Sequence, residues 1–218
     1  MMLKKQGEVS MPNEGNTFNF LQSKVLRALR DKVILTDCDG VLLDWEYHFY
    51  KWVLETHGLE QKTSLYSVAK ALDIPWKDGA KLIQTFNKSE MMKSLSPLRD
   101  AVKYVRKLHE EHGYLFHVIT SQTDDQLGQA YRKENLRNVF GDVFDGFTIL
   151  KTGQNKDKVL MKWEGTECFW IEDKVSNIKM GNDAGLEGIL ISHNWNDDCH
   201  DERKVKTWKE IYNIITGE

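Results

Sequence analysis

Cysteine is scarce in this 218-residue chain: Cys38, Cys168 and Cys199 make an odd number with no metal-ligand spacing. That excludes a disulfide scaffold and a zinc module, and with two of the three in apparent strands it favours reduced, structural thiols. An excess of positive charge is absent as well. Lys and Arg number 30 against 33 Asp and Glu, the net charge is -3, and the basic residues are spread along the chain. There is no electrostatic footprint for nucleic acid, so nucleic acid is not expected as a partner, and any phosphate must be held by local positive groups. No apolar run approaches a membrane span, and residues 1–16 are polar, without the apolar core of a signal peptide. A cytoplasmic protein with no membrane partner is expected. There is no internal repeat and no low-complexity segment. What is present, 40% hydrophobic and 11% aromatic residues, suits one full core plus a small inserted domain.

The informative segment is Val33-Ile34-Leu35-Thr36-Asp37-Cys38-Asp39-Gly40-Val41-Leu42-Leu43-Asp44, an apolar run ending in two carboxylates one residue apart and then a glycine. The run reads as a buried strand over 32–36. Its pleat aims Asp37 and Asp39 to one side and Cys38 to the other. Two like charges that close call for a divalent cation between them or a proton held on one. Gly40 lets the chain leave the strand through dihedrals closed to other residues.

A loose tail over 1–16 and a first helix over 17–30 are expected before that strand. After it, the pattern predicts helices over 45–57, 63–72 and 76–87, with no convincing strand between 44 and 95, which marks that stretch as an insertion. Ser67 to Pro75 followed by a second helix has the outline of a DNA-binding helix-turn-helix, but the second helix lacks a basic cluster. A helical lid is the better reading. Alternation then resumes: helix 98–111 behind Pro97, strand 114–120, helix 124–137, strand 146–150, short helix 157–163, strand 168–171, helix 176–184, strand 187–192 and a closing helix 205–215. Such alternation predicts an α/β fold, a doubly wound parallel sheet with helices on both faces, whose ligands sit beyond the carboxyl ends of the strands.

Other segments fall at those ends. Phe116 to Ser121 is an apolar strand closed by Thr120 and Ser121, hydroxyls that can bond a phosphoryl oxygen. Phe169-Trp170-Ile171-Glu172-Asp173 is a strand ending in adjacent acids, with Asn177 four residues beyond. Hard cations take carboxylate oxygen, which makes Asp173 the candidate direct ligand and places Glu172 near the metal shell.

The segment Asp37-Cys38-Asp39-Gly40-Val41-Leu42 resembles the first motif of the haloacid dehalogenase superfamily, and three further motifs follow in the order of that superfamily. The resemblance implies a Rossmann-like catalytic core, residues 17–43 and 96–218, with a helical cap over 44–95. It implies a magnesium-dependent phosphomonoesterase acting through an aspartyl-phosphate. Asp37 is then the nucleophile and Asp39 the general acid and base, its main-chain carbonyl reaching Mg2+. The phosphate lies against Gly40, Thr120, Ser121 and a lysine that neutralises transition-state charge. Lys151, Lys156 and Lys158 compete for that role; Lys156 is chosen, because it sits one turn before the apolar face of the short helix, and Lys158 is the reserve. Members of the superfamily often carry Asp where this chain has Asn177, and Gly or Asp where it has Glu172. In more detail the layout resembles the 5'-(3')-deoxyribonucleotidase branch and similar small phosphatases of phages and bacteria, whose cap aromatics hold a nucleobase. Trp45, Tyr47, Phe49 and Trp76 are the candidates, Trp45 and Trp76 foremost, and each could instead belong to the cap's own core. The implied substrate is a small phosphorylated metabolite, a nucleoside monophosphate. The alternatives are another small phosphoester, a polynucleotide 3'-phosphate end, or a catalytically silent phosphate or nucleotide binder. A receiver domain shares the Asp, Thr and Lys set but not this order.

Overall fold

Val33 to Thr36 is buried at every position, as befits the centre of a sheet covered on both faces. In the computed structural model, which describes residues 32–200 and 203–218, this segment is β1. It pairs in parallel with β2 (Leu115–Ser121) on one side and β4 (Phe169–Glu172) on the other. With β3 (Phe144–Leu150), β5 (Glu187–Ile191) and β6 (Lys204–Val205) the sheet has the order β3-β2-β1-β4-β5-β6, every pairing parallel. The tail and first helix expected before β1 lie outside the described residues.

The pleat divides the apolar residues between two layers. Ile34, Phe116, Val118 and Ile189 face a layer that holds α4 (Ala101–His112), α5 (Gln126–Phe140) and α8 (Trp208–Thr216). Val33, Leu35, Ile119 and Trp170 face the other, which holds α6 (Asp157–Leu160) and α7 (Val175–Asp183). This is the doubly wound Rossmann-like fold, and its strand order reverses at β1, between β2 and β4.

Between β1 and α4 the chain makes α1 (Trp45–His57), α2 (Val68–Leu72) and α3 (Trp76–Lys88). The two limbs of this excursion are joined at its base: Leu43 bridges Pro97, Asp44 donates to Ser96 O at 2.9 Å, and Leu98 donates to Leu42 O at 2.8 Å. Phe49, Val53 and Phe86 then continue the apolar layer of the sheet face that carries α4, α5 and α8.

Several element boundaries depart from expectation, among them α5, which runs to Phe140, and β3, which starts at Phe144; three do so for plain local reasons. Helix α2 begins at Val68, because Ser67 is extended and Leu65 and Tyr66 line a cavity instead of turning into a helix. Helix α4 begins at Ala101, because Arg99 adopts a left-handed φ of 40° that no helix accommodates. Val205 is in β6, and α8 starts at Trp208 behind a capping box in which Thr207 and Glu210 exchange hydrogen bonds.

Candidate active site

Asp37 continues the line of β1 by donating its N–H to Ile171 O at 2.8 Å, and the chain then turns sharply, with Cys38 O accepting from Leu42 and Leu43, both at 2.9 Å. Gly40 makes that turn possible twice over. Its φ is +75°, and a Cβ there would stand 2.7 Å from Asp173 Oδ2. Its N–H is given to Leu43 O and its carbonyl accepts from His193 Nε2 at 2.7 Å, so both main-chain groups serve the turn. Trp208, wholly buried, donates Nε1–H to Val41 O at 2.8 Å and pins the far side.

Asp37 and Asp39 both line the cavity above the strand ends, but they do not share partners. The pleat stops at Thr36, so the alternation expected for Asp37, Cys38 and Asp39 gives way to the turn. Asp37 Oδ1 accepts from its neighbour's N–H (Cys38, 2.7 Å) and from Lys156 Nζ (2.8 Å). Asp39 and Cys38 are held together by Arg132 of α5, which donates to both Asp39 oxygens and to Cys38 Sγ. Burial pushes the Cys38 thiol up to about 12, so it stands there as a neutral thiol.

Of the three candidate lysines, Lys156 alone reaches Asp37. It is 2% exposed and lies between Asp37 Oδ1 and Glu172 Oε2, 2.8 Å from each. Burial works against its charge, but the two carboxylates outweigh it and raise its pKa. Lys158 is exposed, and Lys151 pairs with Asp124 at 3.4 Å.

Glu172 is wholly buried and accepts from four donors: Lys156 Nζ, Asn177 Nδ2 at 2.8 Å, and the N–H groups of Asp173 and Lys174 at 3.0 and 3.1 Å. Burial opposes its ionisation, yet Lys156 and these donors hold its carboxyl far below the usual range. Asp173 is 6% exposed, and burial followed by the charge of Glu172 lifts it well above that range. Asp37 is lifted to about 7 by burial and Glu172 against the pull of Lys156. Among the described residues Asp37, Glu172 and Asp173 offer oxygens that lie within 4.8 Å of one another. Buried carboxylates at that spacing, two of them driven toward protonation, fit a hard divalent cation. Oxygen is what they offer, with no cysteine or histidine in the group.

Above these groups is a cavity of about 530 Å³. Thr120, Ser121 and Asn177 belong to its lining, and Ser121 Oγ donates to Gln154 O at 2.7 Å. Trp45 also lines it, but its ring is stacked on Phe49 (4.5 Å, 9°) and its N–H is given to Asn87 Oδ1 at 2.8 Å. Trp76 lines it at the head of α3 and is 74% exposed. Phe49 is wholly buried in the layer beneath, and Tyr47, 57% exposed, lies off the cavity.

A family described as 5' nucleotidase, deoxy (pyrimidine), cytosolic type C protein matches residues 31–217. The chain belongs to this family. An uncharacterised 32.4 kDa protein from the Gp30-rIII intergenic region of Enterobacteria phage T4 is 31% identical over 195 residues, 84% of this chain and 69% of that one. Among solved structures, a haloacid dehalogenase-like hydrolase from Streptococcus pneumoniae superposes with a TM-score of 0.59 at 11% identity, covering 84% of this chain and 98% of that one. CbbY from Rhodobacter sphaeroides in complex with phosphate superposes at 0.55 with 13% identity, covering 83% and 96%. These likenesses show the fold. Together with the family they make the chain a phosphatase of the haloacid dehalogenase type.

Several residues of this nucleotidase-family site gave no signal in the sequence reading. Arg132 sits 93 residues from Asp39, in a helix whose pattern singles out no functional residue. Asn196, 4% exposed, donates from Nδ2 to both Asp173 O and Ile191 O at 2.8 Å and so fixes the loop that carries Asp173. Tyr66 and Trp195 meet across the cavity mouth at 6.1 Å, and Trp195 stacks on His193 at 4.2 Å. Asn87 and Gln122, 3% and 0% exposed, exchange side-chain-to-carbonyl bonds of 2.9 and 3.0 Å that clasp α3 to the end of β2. A polar residue in a loop or helix is uninformative until its partner is known.

Proposed function

We propose that this protein hydrolyses nucleoside monophosphates to nucleoside and inorganic phosphate through a phosphoryl group carried on Asp37. The observation that supports this most is Lys156 bridging Asp37 and Glu172 beside Asp173, where the strand order reverses, beneath a cavity with room for a nucleotide and lined by aromatic rings. Asp37 and Asp173 are the side chains that would hold magnesium, with the Asp39 main chain; when bound, the ion supplies positive charge for the phosphoryl oxygens. Glu172, its oxygens committed to four donors, sets the position of Lys156 and of the Asp173 loop.

No donor among the described residues reaches Asp37 Oδ2, whereas Oδ1 takes two, so Oδ2 is the oxygen free to attack phosphorus. Lys156 offsets the charge that gathers on the phosphoryl oxygens, and the Thr120 hydroxyl receives the remaining edge, beside Ser121, whose own hydroxyl proton is given to Gln154 O. Asp39 gives a proton to the leaving oxygen and later takes one from the water that releases phosphate. Residues 44–95 act as a cap that keeps bulk water from the intermediate and selects the leaving group. Trp76, exposed and free of ring contacts among the described residues, is the ring available to stack on a base, with Trp45 as a fixed wall beside it. Among the described residues no helix is long and apolar enough to cross a membrane. We place the protein in the cytoplasm, where thiols stay reduced.

A panel of nucleoside monophosphates, sugar phosphates and 3'-phosphorylated DNA ends, assayed for magnesium-dependent phosphate release, tests the reading. Preference for nucleotides, weakened by Trp76→Ala, is expected. Equal turnover across the panel would remove the nucleotide assignment and leave the phosphatase.

A further inference from the structure

Arg132 is the largest charged side chain in the interior, with no exposed surface. Burying a guanidinium is costly unless its donors are met, and the donors here are committed in a telling way. Nη1 and Nη2 take the two oxygens of Asp39 as a fork, Nη2 at 3.2 Å from Oδ2. Nη1 also donates to Cys38 Sγ at 2.9 Å, and Nη2 to Met92 Sδ at 3.2 Å. Nε has no partner among the described residues, so the side chain is fully used only at the end that faces Asp39. Met92 belongs to the 3-10 turn Glu90–Lys93, where the chain returns from the cap, and the helix carrying Arg132 grips that limb at two further points. Tyr131 lies under Lys93 Nζ at 4.2 Å, and Asn135 donates to Leu95 O at 3.1 Å.

We propose that Arg132 is a positioning residue: it fixes the carboxylate of Asp39 for proton transfer and, through Met92, couples that orientation to the returning limb of the cap. This rests on the phosphatase reading above. In the first half-reaction Asp37 Oδ2 bonds to phosphorus and the ester P–O bond breaks. The electron pair stays on the leaving oxygen, which takes the proton of Asp39. In the second, water bonds to phosphorus and gives a proton to Asp39, and the bond from phosphorus to Asp37 breaks with its electron pair returning to the carboxylate. Asp39 serves both halves, so its oxygens must sit where the leaving oxygen and then the water will be. Asp39 is partly exposed, its side chain at 24%, and among the described residues no other side chain bonds to its carboxylate. A planar fork sets both the plane and the distance of a carboxylate; a lysine ammonium sets only the distance.

The test is single-turnover kinetics with two aryl esters that differ in their need for a proton. p-Nitrophenolate leaves unprotonated, whereas the phenolate of phenyl phosphate is a poorer leaving group that depends on general acid help. Arg132→Lys should slow release from phenyl phosphate by about a hundredfold while leaving the p-nitrophenyl ester within about threefold. Asp39→Asn should slow phenyl phosphate at least as much, and on that ester the double variant should be no slower than Asp39→Asn alone, the signature of two residues acting as one unit. Equal slowing of both esters by Arg132→Lys, or losses that multiply in the double variant, would overturn the proposal. If Asp39→Asn spares phenyl phosphate, the role of Asp39 itself is wrong; if it does not and Arg132→Lys does, only the present inference falls. Folding of each variant is read by near-UV circular dichroism. Arg132→Gln, which keeps one donor nitrogen without the charge or the fork, replaces the lysine variant if that fails to fold, with the same outcomes required of it.

Discussion

At the floor of the cavity Asp37, Lys156, Glu172 and Asp173 are each under a tenth exposed, and Lys156 and Glu172 lock them into one bonded array. At its roof Leu65, Tyr66 and Trp76 are 51%, 55% and 74% exposed, and the contacts seen there are those of Tyr66, ring against ring with Trp195 and under the Lys174 ammonium. The floor is built from strand ends whose main chain is fixed by the parallel ladder, so its charges cannot rearrange to suit a ligand. The roof hangs on a neck at Leu43 and Pro97 and a clasp at Asn87 and Gln122, and its rings are free to adapt. Preorganised charge is what lowers a barrier, whereas adaptable aromatic surface is what chooses a leaving group. Substitutions in the two regions should therefore differ in size and in kind.

The largest effect belongs to the floor. Asp37→Asn should lower kcat by about a thousandfold or more, with the fold intact, since it removes the oxygen proposed to attack phosphorus. A crystal structure of the protein treated with beryllium fluoride and magnesium should find the adduct on Asp37, and the 19F signal of the bound species should be absent from the variant. Next, Asp173→Ala should raise the magnesium concentration needed for half-maximal activity by roughly a hundredfold, measured by titration; an unchanged midpoint would move the cation site away from β4.

The clasp between floor and roof comes third. Asn87→Ala strands the Trp45 N–H and takes from the Gln122 carbonyl one of its two donors, the Thr152 hydroxyl remaining, so urea unfolding should show a loss of about 1–3 kcal/mol. Activity should fall mainly through KM, because the roof loses its seat while the floor does not. A drop confined to kcat would mean that the clasp holds the β2 end and not the cap. The smallest effect should be Trp76→Ala, within about 0.5 kcal/mol in stability, with a several-fold higher KM for nucleotides and no change for p-nitrophenyl phosphate. If both substrates weaken alike, the two regions do not divide the work as described.

The parallel sheet was legible because its strands announce themselves locally: Val33 to Thr36, Phe116 to Ser121 and Phe169 to Glu172 are short apolar runs that end in polar residues. Helix α1 was equally plain, bounded by Asp44 at one end and left-handed Gly58 at the other. Less plain were places where one residue overrules a pattern, as Arg99 does at the start of α4. The capping box Thr207-Trp208-Lys209-Glu210 was present in the sequence and marks the true start of α8, but the apolar Val205 masked it.

Local order in the chain determined which acids could meet. Carboxylates placed just after apolar runs must emerge at strand ends, and the pattern of alternation puts those ends on one edge of the sheet. The need for glycine at position 40 also follows from the turn that such an arrangement demands. Tertiary structure alone decided which cation each acid would receive. Lys156 rather than Lys158 faces Asp37 because α6 turns the one inward and leaves the other in solvent. Arg132 reaches Asp39 because α5 packs beneath the returning limb of the cap, 93 residues along the chain. Periodicity reports which face of an element is buried, but a buried charge is selected by the one partner the fold brings to it, and no local pattern encodes that partner.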